Sequence, residues 1–86
     1  MSRIEDIKYR LRAIENRAED HGKECLRERE ELRRSMELVE EYFDDQDSGK
    51  AILRYLSEAY SKLGYAEAYC RDVYFGAKEI VSRYSE

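Results

Sequence analysis

The side chains best equipped for chemistry in this chain are His21, Cys25 and Cys70, its only histidine and its two cysteines. His21 and Cys25 stand four residues apart, so on a helix they share a face, and a thiol from a neighbouring helix would supply a third ligand of a tetrahedral zinc site. Spacing offers no fourth ligand; Glu24 and Glu67 are only neighbours. The commoner role of such thiols is to pack as small apolar groups where helices approach closely. We therefore expect no metal and no cofactor, with the two thiols reduced, since a Cys25–Cys70 disulfide would need an oxidising compartment. His21 beside Cys25 is also the one nucleophile–base pair, and a tight helical seam gives it no cleft. Gly22, Gly49, Gly64 and Gly76 are dispersed and form no phosphate loop. The expectation is a protein that is not an enzyme.

Two helices must position these groups. Ser2 and Glu5 have the spacing of a capping box, so a helix is expected to begin at once. Ile4, Ile7, Leu11, Ile14, Ala18, His21 and Cys25 then recur at alternating steps of three and four. After Cys25 the pattern slips by one residue and resumes through Arg29, Leu32, Met36, Val39 and Phe43; such a slip changes coil pitch without breaking a helix. The second half carries a longer run: Ile52, Leu56, Ala59, Leu63, Ala66, Cys70, Val73, Ala77, Ile80 and Tyr84. A period near 3.5 marks helices that pack lengthwise, as in a coiled coil.

Between the runs, Asp44-Asp45-Gln46-Asp47-Ser48-Gly49 is the clear turn. It does not match a calcium loop of EF-hand type, because Gly49 falls one place early and Leu56 takes the place of the bidentate Glu. Asp47 or Ser48 is suited to cap the second helix. Folding back at this turn pairs Phe43 with Ile52, Val39 with Leu56, Leu32 with Leu63, Cys25 with Cys70 and Leu11 with Tyr84, residue numbers adding to 95 each time. The fold expected is all-α: a single domain over 1–86, a long antiparallel hairpin with helices near 3–43 and 49–84, dimerising into a four-helix bundle. At 1.5 Å per residue these helices would be roughly 60 and 50 Å long. The competing arrangement is a compact four-helix monomer with breaks near Gly22 and Gly64.

Composition agrees with solvated helices. Charged residues make up 42% of the chain, there is no Pro, and net charge is −4. An acidic balance disfavours nucleic acid, whose phosphates require a surplus of Lys and Arg on one face. No apolar run is long enough to span a bilayer, and no signal-peptide h-region is evident, so neither a membrane nor export through a cleaved signal is expected and the location expected is cytoplasmic. Asp6/Arg10, Glu19/Lys23 and Glu30/Arg34 place acid before base at i,i+4, the favourable order on a helix surface.

The second helix has more apolar residues than one seam needs. Leu53, Tyr60, Tyr74 and Val81 form a row beside the run above, interrupted at Glu67. Six of the eight Tyr, and Phe75, lie between residues 55 and 84, and aromatics of this kind are enriched at interfaces. Ile4 and Ile7 would overhang the end of the hairpin. The expected function is a non-catalytic helical interaction protein (an adaptor, chaperone-like subunit or inhibitor) acting through this Tyr-rich side, with Leu53, Tyr60, Tyr69, Tyr74, Phe75 and Val81 as partner-binding residues. Self-association is the expected mode, and a heterologous protein partner is the other. The alternative is a small-molecule or nucleotide binder whose pocket, at a dimer interface, is lined by Tyr rings and Arg71 or Arg83.

Overall fold

The computed structural model describes residues 2–43 and 47–84. They form two helices, α1 (Arg3–Phe43) and α2 (Asp47–Arg83), folded into an antiparallel hairpin. The molecule is a rod of 63 × 16 × 14 Å. Neither helix breaks at its internal glycines, so the four-helix monomer does not form: α1 runs unbroken through Gly22 and α2 through Gly64. One glycine costs about 1 kcal/mol relative to Ala, too little to end a helix held along its whole length by a partner.

Local chemistry accounts for the ends. The Ser2 hydroxyl accepts from the backbone N–H of Glu5 at 3.2 Å, and its carbonyl accepts from Asp6 at 3.1 Å, so the expected cap is in place. Asp44, Asp45 and Gln46 of the turn lie outside the described residues. α2 begins at Asp47, two residues before the boundary read from sequence, and carries that carboxylate in its first turn, where the helix dipole favours negative charge. Arg83 occupies its last turn. All three ion pairs read from spacing are present: Asp6–Arg10 at 3.3 Å, Glu19–Lys23 at 3.2 Å and Glu30–Arg34 at 3.6 Å. Arg33 adds contacts to both Glu30 and Glu37, and its guanidinium holds the Glu30 carboxyl below the usual carboxylate range. These pairs are solvated and contribute little to stability individually.

The seam differs from the expected one in register and in face. On α1 the seam is a row of buried or half-buried positions, Lys8, Leu11, Glu15, Ala18, Gly22, Cys25, Arg29, Leu32, Met36 and Val39, with half-buried Ala13 beside it. That is an unbroken alternation of four and three with no slip. Ile14 and His21 stand beside it and are exposed. On α2 the corresponding row is Gly49, Leu53, Leu56, Tyr60, Leu63, Glu67, Cys70, Tyr74, Ala77 and Val81, with Ala51, Ala59, Gly64, Ala68 and Val73 half-buried beside it. Facing residue numbers now add to 92, not 95: Phe43 meets Gly49, Gly22 meets Cys70, and Ala18 stands level with Tyr74. Cys25 is therefore level with Glu67, about one turn from Cys70.

Glycine decides the register. An added Cβ at Gly49 would strike the Phe43 carbonyl oxygen and come within 2.8 Å of the Phe43 Cβ. At Gly64 the space a side chain would take is filled by the Arg29 guanidinium, 3.1 Å from an added Cβ. The core is thin: Ala18, Ala77 and Val81 are the buried apolar side chains among the described residues, and no large side chain is fully enclosed.

Candidate functional site

At mid-hairpin, Arg29 crosses to α2. Its Nε donates to the Tyr60 carbonyl at 3.1 Å, and the guanidinium lies 4.0 Å from the centre of the Tyr60 ring. It is a half-buried cation with defined partners across the seam. A charged hydrogen bond and a cation–π contact at a partly desolvated site together contribute about 2 kcal/mol. Arg29→Ala is expected to lower the free energy of urea unfolding by about that amount, while Arg34→Ala on the open surface changes it by less than about 0.5 kcal/mol.

The chemistry-bearing residues are only partly gathered. His21 and Cys70 line one shallow groove with Ile14, Arg17, Ala18, Tyr69 and Val73. Among the described residues, no three His, Cys, Asp or Glu side chains converge to hold a metal ion. Both cysteines are free and half-buried. Burial pushes the Cys25 thiol up from its ordinary 9.0, and Cys70, Glu28, Glu24 and Glu67 push the same way. A nucleophile needs the opposite shift. The folded value lies above the unfolded one, so this contribution to stability is fully present below pH 9.0 and is lost as pH rises through 9.0 and the raised value. Iodoacetamide labelling of Cys25, with Cys70→Ala present, is expected to reach half its maximal rate above pH 9.0; a midpoint at or below that value would contradict the burial.

The partner-binding residues expected from sequence separate into two groups. Leu53, Tyr60 and Tyr74 are half-buried and Val81 is buried, all on the seam against α1. Of the row beginning at Ile52, Leu56, Leu63, Cys70 and Ala77 stay on the seam as expected, whereas Ile52, Ala66 and Ile80 are exposed and Ala59 and Val73 half-buried on the hairpin's flank. Tyr69 remains 71% exposed and stands on that flank. Phe75 is 58% exposed, turned away from it, and meets Tyr74 edge to face at 5.1 Å.

With Tyr55, Tyr69 and Gly76, the flanking row makes a second alternation of three and four along α2, interrupted at the exposed Lys62. Five of its eight members, Ile52, Ala59, Ala66, Val73 and Ile80, were expected in the core, which hid the row from periodicity. Ile7 and Ile14 of α1 border the same side, and at the open end Ile4, Ile7, Lys8, Leu11, Ile80 and Tyr84 line an apolar groove of about 220 Å³. The opposite side is more highly charged: its grooves combine Arg12, Glu15, Asn16 and Lys78 with Val81, and Glu19, Lys23, Glu67 and Arg71 with Leu26 and Tyr74. Arg71 pairs with Glu67 at 3.8 Å and Arg83 with Glu79 at 2.8 Å. No described helix is long and apolar enough to cross a membrane. Comparison with protein-family models, with curated proteins and with solved structures finds no match to this chain.

Proposed function

We propose that the protein is a non-catalytic helical interaction module that works by laying the outer row of α2 against another helix. One observation carries this reading: α2 has two lengthwise apolar rows, and the hairpin occupies only one. The unoccupied row includes Ile52, Tyr55, Ala59, Ala66, Tyr69, Val73 and Ile80, broad enough to seat a helix between its ridges. Scattered exposed apolar residues are ordinary on a protein surface, whereas a continuous patch marks an interaction site. The raised Cys25 thiol supports a role without covalent catalysis. The mechanism is helix-on-helix docking, with Tyr69 and Ile80 as anchors and the polar flank kept in water.

Photo-crosslinking in the producing cell tests this for any protein partner. Benzoylphenylalanine in place of Tyr69 or Tyr55 is expected to give discrete protein adducts, and in place of Arg12 or Lys78 on the polar flank to give none. Equal labelling from both flanks, or no adduct from either, would overturn the reading.

A further inference from the structure

The docking row also fits its own copy. Resting on the reading above, we infer that its occupant is a second copy of this chain, with the two α2 helices antiparallel and facing residue numbers adding to 135. In that register Ala66 faces the partner's Tyr69, Ala59 faces the partner's Gly76, and Tyr55 faces the partner's Ile80. Small residues meet a ring or each other at two of these levels, and between them Lys62 meets the partner's Val73. This register leaves Ile52 opposite the partner's Arg83; a shift of seven residues one way leaves Ile80 outside the paired row instead, and the other way leaves both Ile52 and Tyr55 outside it.

Three further features favour this occupant over an unrelated helix. The pairing is reciprocal about a two-fold axis near residues 67 and 68, so it closes on itself and leaves no second copy of the row to propagate a fibre. Lys62 interrupts the row and faces the partner's Val73, with the partner's Asp72 one residue away to receive its ammonium, and the same pair recurs across the axis. The partner's Tyr55, 72% exposed in the hairpin, arrives at Ile80, beside the apolar groove that Ile4 and Ile7 line at the open end. The overhang is then covered by a ring.

Disulfide trapping reads the register directly. In a Cys25→Ser, Cys70→Ser background, Ala59→Cys combined with Gly76→Cys is expected to give a covalent dimer on mild oxidation. Each substitution alone is expected to give none, because position 59 of one chain would lie about 25 Å along the helix from position 59 of the other, far beyond disulfide reach. Gly76 tolerates the change, since an added Cβ there meets nothing within 4 Å, and far-UV circular dichroism with the molar mass of the unsubstituted chain checks the fold and the assembly. Trapping by the single variants would replace the antiparallel register with a parallel one. No trapping in any variant, with photo-adducts of Tyr69 to a different protein, would overturn self-association and leave docking in place. No trapping, a monomeric mass and no photo-adducts would remove both.

Discussion

Ala66→Glu is expected to convert the assembled protein into a folded monomer. In the isolated hairpin Ala66 is exposed, and a surface substitution by a good helix former costs within about 0.5 kcal/mol. In the paired state the new carboxylate would lie against the partner's Tyr69, near the two-fold axis and close to its own copy. An unpaired charge in a desolvated interface costs about 3–5 kcal/mol, which weakens the dissociation constant roughly 100- to several-thousand-fold. Association at 100 times the dissociation constant stabilises the native state by about 2.7 kcal/mol. Losing that contribution lowers Tm by roughly 10–20 °C for a domain of this size. Helical content at low temperature is expected to persist, so assembly and folding can be followed separately. An unchanged mass and Tm would place the contact elsewhere.

Gly49→Ala is expected to be the most damaging single methyl addition in the hairpin. The added Cβ would strike the carbonyl oxygen and Cβ of Phe43, and the backbone oxygen has no rotamer by which to yield. Overpacking of this kind costs typically about 1–3 kcal/mol, a large part of the roughly 5–15 kcal/mol that holds a domain together. Gly22→Ala supplies the contrast. There the new Cβ would meet the Cβ of Cys70 at 3.6 Å, an ordinary contact, so the helix-propensity gain of about 1 kcal/mol is realised. Urea unfolding of the two variants is expected to move in opposite directions. A stabilising Gly49→Ala would contradict the close approach that sets the 92 register.

Much of this architecture is written in local spacing. The cap at Ser2, the three acid-first ion pairs, both helices and the reversal near residue 45 depend on neighbours within four positions, where helix geometry leaves little choice. The register is another matter. On α2 the rows beginning at Ile52 and at Leu53 both repeat every seven residues and share Leu56, Leu63, Cys70 and Ala77, so periodicity alone does not choose between them. The choice is made across the hairpin by volume: Gly49 under Phe43, Gly64 under the Arg29 guanidinium, and Gly22 against Cys70.

A signal for the right choice was present on α1. Placing Ile14 and His21 inside demanded a slip after Cys25, whereas a seam through Glu15 and Gly22 runs without interruption. Regularity was a better guide there than hydrophobicity, because a narrow two-helix contact accepts a glycine or the stem of a glutamate at its edge. The same exchange moved the candidate docking surface. Tyr69 kept its place, Tyr74 and Val81 turned inward, and Ile52, Ala66 and Ile80 came to the flank.

The most direct measurement is the molar mass of the unsubstituted chain by light scattering, from micromolar to millimolar concentration. With the outer row of α2 occupied by a second copy, the mass rises with concentration to twice the chain mass of 10.3 kDa. A mass of 10.3 kDa at every concentration would contradict it.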